Sequence, residues 1–112
     1  MRVLLNGEPL AGQVEVADSK LAQAKGLMFR RSIPDDYALV FPFDDVEQRS
    51  VHMLFVPFPI TVVWVVNGQV EAVKRLAPWI GIARARADTL LELPEAAIDG
   101  IDVGDEVRIE EA

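Results

Sequence analysis

The sequence predicts a mainly β protein, a jelly-roll-like β-sandwich or flattened barrel that carries one short α-helix at about residues 18–28. Three observations lead there. Apolar runs of strand length recur along the chain with turn-forming clusters between them, the spacing of an all-β fold. The run 60–66, ITVVWVV, is β-branched at nearly every position and apolar on both faces, as a central strand is. Helical periodicity occurs in one short segment alone. At 112 residues the chain fits a single domain spanning 1–112, large enough to bury one core without disulfides or a structural metal.

The elements follow in order. Val3, Leu4 and Leu5, the cluster Asn6-Gly7-Glu8-Pro9, and then 10–16 with alternation at Val14 and Val16 read as a hairpin around a turn. Asp18 or Ser19 caps a helix that continues through the good helix formers Lys20 to Lys25, with Leu21, Ala24 and Met28 recurring at helical intervals. Gly26 falls in its last turn or just past it. Strands are expected at 37–43, 50–55 and 60–66. Asn67-Gly68 is the strongest hairpin signal in the chain, because a type I′ turn needs positive φ at both central residues, and 69–73 returns antiparallel. Strands at 89–93 and 106–109 complete the set, the latter entered through Gly100 and Gly104-Asp105.

Composition bounds the function. With 51% hydrophobic residues and mean hydropathy +0.21, the chain can offset its ordering entropy, so disorder is not expected. Pro57 and Pro59 interrupt the longest apolar run and Asn67-Gly68 ends it, which leaves no membrane span. The amino-terminal apolar run is too short for a signal sequence, so the chain reads as cytoplasmic. It has no cysteine, hence no disulfide, thiolate zinc site or thiol nucleophile. A net charge of -7 repels phosphate backbones, so nucleic acid is not the expected partner. The acidity serves solubility or reflects a high-salt host.

Several short motifs run in a recognisable order: Gly26-Leu27-Met28 with Arg30, Phe41 and Phe43, His52-Met53, Phe58-Pro59-Ile60 leading into a β-branched strand, Asn67-Gly68, Pro78-Trp79, Leu91-Glu92-Leu93, and Gly100-Ile101 ahead of Gly104-Asp105. In this order and spacing, across roughly residues 14–110, the chain resembles the domain of unknown function 192 family, small proteins of archaea and bacteria without an established activity. The resemblance implies a mainly β, jelly-roll-like sandwich with one short helix. One departure stands out. Where that family's pattern usually has aspartate after Phe-Pro-Ile, this chain has Thr61, which is neither anionic nor titratable near neutrality. We read the position as structural, a hydrogen-bonding group that a hydroxyl can replace.

The candidate site residues each carry two readings. Arg30 keeps its charge, so it either pairs with Glu92 or Asp105, or caps helix-end carbonyls, or recognises an anionic ligand. His52, the single histidine, shares a strand face with Ser50. It is a hydrogen-bonded rim residue or a ligand contact, whereas a serine hydrolase would need an orienting group and an oxyanion hole that the sequence does not supply. Met28, Met53 and Phe55 line a pocket together with Leu27 and Phe29, or belong to the core. Trp79, between Pro78 and Gly81, offers a stacking face or closes the end of the sandwich. Asp35-Asp36 and Asp44-Asp45 lack the spacing of a calcium loop, so neither a metal nor a cofactor is expected.

Three classes of function fit. The first is a non-catalytic binding module whose pocket, marked by Arg30, His52, Trp79 and Glu92, takes a small anionic or aromatic molecule or a peptide segment. The second is an enzyme using Arg30, His52 and Glu92 for acid-base chemistry. The third is an assembly protein that pairs through a strand edge or its apolar block at Val62 to Val66. The sequence leaves the oligomeric state undetermined.

Overall fold

Two sheets and one short helix make up the computed structural model, which describes residues 1–111. Strand β1 (Arg2–Leu5) turns through Asn6-Gly7 into β2 (Glu8–Ala11), with φ of 51° and 83° at the two turn residues. Positive φ at both centres is what Asn-Gly accommodates. The expected continuous strand over 10–16 is broken at Gly12, where the amides of Gly12 and Gln13 both donate to the Asp36 carbonyl. The chain there changes sheets. Strand β3 (Gln13–Val16) runs parallel to β4 (Tyr37–His52) and leaves β2 behind.

The helix α1 (Lys20–Lys25) is shorter than the 18–28 expectation. Ser19 is its cap, the hydroxyl accepting from Ala22 N at 3.1 Å. Gly26 ends it with φ 50° and ψ -127°, a conformation open to glycine and strained for other residues. Met28 therefore lies beyond the helix, in the turn that follows.

The expected strands 37–43 and 50–55 are one strand, β4, which also takes in the stretch 44–49 left between them. A bulge between Pro42 and Glu47 lets that acidic stretch stand out while pairing resumes beyond it. Residues 53–55 are not strand. They form a turn in which Phe55 has φ 61°. Strand β5 (Ile60–Val66), the Asn67-Gly68 turn and β6 (Gln69–Leu76) form the expected hairpin. Strand β7 (Ile82–Pro94) is longer than 89–93 because it pairs with β4 on both sides of that bulge, and a 3-10 helix, Glu95–Gly100, that the sequence reading did not anticipate leads to β8 (Val107–Glu110).

The sheets have strand orders β2-β1-β8 and β3-β4-β7-β5-β6. They form a sandwich and do not close into a barrel. The larger sheet is covered on both faces, which explains why β5 is apolar on both. Val63, Val65, Leu91 and Leu93 face the small sheet with Val3 and Val107. Ile60, Val62, Trp64 and Leu90 face the opposite way, toward Leu27 and Met53 in the loops around α1. Because β5 lies between β7 and β6, the block Val62 to Val66 has no free edge, which removes the expected strand-edge pairing through it. Among the described residues no helix is long and apolar enough to cross a membrane.

Candidate functional site

A cleft of about 330 Å³ opens where the end of α1 and the loop after it lie over one face of β4 and β7. Met28, Phe41, Met53 and Ile60 give it apolar walls, Gln48, Ser50 and His52 lie along it from β4, and Glu92 lies within it. Glu92 is placed there by strand alternation. Leu91 and Leu93 face the small sheet, so the residue between them faces the helix side, in register with Leu39 of β4 and Val62 of β5.

Glu92 is 6% exposed, and its Oε1 meets no hydrogen-bond partner among the described residues. A buried polar atom without a partner is uncommon in a folded protein and costs stability. Burial pushes the carboxyl up to about 7, with the nearby Arg30 charge pulling weakly the other way. Gly26 makes room for it: a Cβ at that glycine would stand 3.4 Å from Glu92 Oε1 and 3.7 Å from the Phe41 ring. The helix-ending glycine and the buried acid are thus two sides of one opening.

Ser50 and His52 both line the cleft, as does Val51 between them, but the imidazole is already engaged. Its Nδ1 accepts from Leu54 N at 3.2 Å, pinning the turn that follows β4. A serine-histidine pair would need that nitrogen to donate to an orienting acid, and here it accepts from the backbone.

Arg30 lies outside the cleft lining and pairs with neither Glu92 nor Asp105, which corrects the expected partners. Its Nη1 donates to Glu15 Oε1 at 2.9 Å and to the Tyr37 hydroxyl at 2.9 Å, while that hydroxyl donates to the same Glu15 oxygen at 2.8 Å. Tyr37 and Arg30 hold the Glu15 carboxyl below the usual range, and burial with the Glu15 contact pushes the Tyr37 phenol up. Asp105 instead accepts from Asp102 N at 2.8 Å in the turn before β8.

Trp79 and Phe55 are also absent from the cleft lining. Phe55 stacks on Phe29 with ring centroids 5.0 Å apart, and Trp79 meets Phe55 edge-on at 6.0 Å. All three are exposed, so the core reading does not describe them. This cluster was missed in the sequence. Leu54-Phe55 and Trp79-Ile80 carry the available signal, since two adjacent large apolar residues cannot both face inward on an alternating strand.

Thr61 is fully buried, and its hydroxyl donates to the Glu95 carbonyl at 2.9 Å, tying β5 to the 3-10 helix. That is the structural role read from the sequence. Among the described residues no cluster of three or more histidine, aspartate or glutamate side chains is placed to hold a metal ion.

The UPF0127 protein PH1112 of Pyrococcus horikoshii is 36% identical over 103 residues, covering 87% of each chain. A crystal structure from Sinorhizobium meliloti 1021, described as a candidate transcription regulator, superposes with a TM-score of 0.85 at 22% identity, covering 96% of this chain and 91% of its own. A protein of unknown function from Novosphingobium aromaticivorans superposes with a TM-score of 0.80 at 24% identity, covering 96% of this chain and 84% of its own. At such identities the two structures speak for the fold alone. The model of the DUF192 family, described as "Uncharacterized ACR", matches residues 1–109, and the chain belongs to that family, whose function is unknown.

Proposed function

We propose that this chain is a small-molecule binding module, and that its ligand enters the cleft beside α1 and brings a hydrogen-bond donor to Glu92. The observation that carries the reading is the unpartnered Oε1 of a buried carboxyl within an apolar cleft. An incoming hydroxyl, amide or amine would satisfy it, and an apolar body would replace water along Met28, Phe41 and Met53. Of the ligand chemistries expected from the sequence, an anionic group held by Arg30 in this cleft loses its support, because Arg30 lies outside the lining and pairs with Glu15.

The test is a nitrogen-15 NMR screen with small molecules that join an apolar ring to one alcohol, amide or amine. Hits are expected to shift the amides of Gly26, Ser50 and Glu92 together, and Glu92→Leu, which removes the acceptor, should abolish them. Hits that ignore that substitution, or a screen that leaves the cleft amides unmoved, would reject the reading.

A carboxyl near 7 in a cleft is also the equipment of a general acid, and this favours acid-base catalysis as a second reading. In that case turnover of any bound compound would vanish in Glu92→Gln while binding persisted. The binding reading expects the bound compound back unchanged.

A further inference from the structure

We propose that the aromatic cluster of Phe29, Phe55 and Trp79 is a preformed docking platform for an apolar segment of a partner protein that carries carboxylates beside its apolar anchors. Three loops build it: 26–33 after the helix, 53–60 after β4, and 77–82 before and into β7. Each loop holds its aromatic residue in the left-handed region, with φ of 70° at Phe29, 61° at Phe55 and 67° at Trp79. Bulky residues rarely adopt that region, and such strain persists where the surroundings impose it.

The surroundings here are backbone hydrogen bonds between the loops. Phe29 N donates to Phe55 O at 2.8 Å, Trp79 N to Val56 O at 3.1 Å, and Met53 N to Gly81 O at 2.9 Å. Gly81 is required for the last of these loops to close, since a Cβ there would lie 2.7 Å from the Ala77 carbonyl. The rings are therefore fixed before anything binds, which reduces the entropy lost on association.

The same loops expose Leu54, Ile80 and Ile82. With the three aromatics, that exposure amounts to roughly 700 Å², taking ~150–250 Å² for a large side chain. This is the scale of one side of a standard protein interface, roughly 800 Å².

Charge selects the occupant. Residues 26–33, 53–60 and 77–82 contain no acidic residue; Asp35 and Asp36 follow the first of these stretches ahead of β4, and Asp36 accepts a hydrogen bond from Gln13. The cations beside and within them, Lys25, Arg31 and Arg84, are exposed and have no ion pair among the described residues. A second copy would set this cationic face against its own kind. A partner segment with carboxylates flanking its apolar anchors meets both features of the surface.

The experiment pans a display library of short random peptides against the immobilised full chain, with the Phe29→Asn/Trp79→Asn double variant as counter-target. Asparagine tolerates left-handed backbone, so the variant removes the rings and keeps the turns, and a urea midpoint no lower than the parent's establishes that it is folded. Enriched peptides should combine large apolar residues with aspartate or glutamate. They should bind the parent about tenfold or more tightly than the variant, and Arg31→Glu should weaken them. Enrichment that does not distinguish parent from variant, or peptides without acidic residues, would overturn the proposal. So would variant-sensitive self-association in sedimentation equilibrium, or variant-sensitive co-sedimentation with vesicles of phosphatidylcholine and phosphatidylglycerol.

Discussion

Glu92→Gln should change how stability depends on pH, and the size of the change follows from the structure. Glu92 titrates near 4.5 when unfolded and at about 7 in the fold. Because its folded pKa is raised, the native state binds the extra proton. Its contribution is fully present below about pH 4.5, is lost as pH rises, and reaches a plateau above about pH 7. A tenfold change in a protonation equilibrium is worth ~1.4 kcal/mol, so the rise from 4.5 to about 7 makes the ionised carboxyl cost about 3 kcal/mol. Most of that cost develops between about pH 5 and pH 8. Glutamine cannot ionise, so the variant should gain about that much on the parent across the interval. Urea unfolding of both proteins at several pH values measures the difference, and the other titrating groups, present in both, cancel. Glu15 and Asp105, whose carboxyls are held low, lose their contributions only as pH falls further. Parallel curves for the two proteins would show that Glu92 is solvated or hydrogen-bonded, and would remove the basis of the proposed site as well.

Three further outcomes are expected. Gly26→Ala should cost about 1–3 kcal/mol in urea unfolding, since its backbone strains any side chain and the new Cβ crowds Glu92; a neutral substitution would mean the helix end relaxes freely. Thr61→Val should cost about 1–3 kcal/mol by leaving the Glu95 carbonyl without its donor, with Thr61→Ser losing less; equal losses in both would point to packing instead. Arg30→Ala should cost about 1 kcal/mol or less, because its pair with Glu15 is partly solvated. The same substitution should raise the Glu92 midpoint seen by carbon-13 NMR, because a nearby positive charge is removed; a lowered midpoint would contradict the placement.

The sequence was most legible where one physical period dominated. The run at β5 is buried on both faces, and the Asn67-Gly68 turn has the two positive φ values it needs, 50° and 78°. It was least legible where the chain departs from a period. Asp44-Asp45 looks like a loop in one dimension, yet β4 carries it on a bulge because β7 supplies pairing on either side. The site divided in the same way. Glu92 reaches the cleft because the alternation of its strand could be read, and Met28 and Met53 reach it from the turns that directly follow α1 and β4. Arg30, Trp79 and Phe55 depend on loop backbone, and their partners, Glu15 and Phe29, are set by how distant loops meet.

The segment 26–30 belongs to both surfaces, and this accounts for its composition residue by residue. Gly26 leaves the space that Glu92 fills, Leu27 anchors the loop in the core, Met28 lines the cleft, Phe29 stacks on Phe55, and Arg30 ties the loop to Glu15 and Tyr37. Such a loop carries costs on both sides: about 1 kcal/mol or more for a bulky residue at positive φ, and more for the nearby unpartnered acid. Neither cost helps a sandwich whose two cores are already closed by Trp64, Leu91 and their neighbours. Packing alone would favour an apolar residue at position 92 and glycine or asparagine at position 29. The chain instead has phenylalanine within the segment and glutamate facing it from β7, and the proposed cleft ligand and docking partner would account for both.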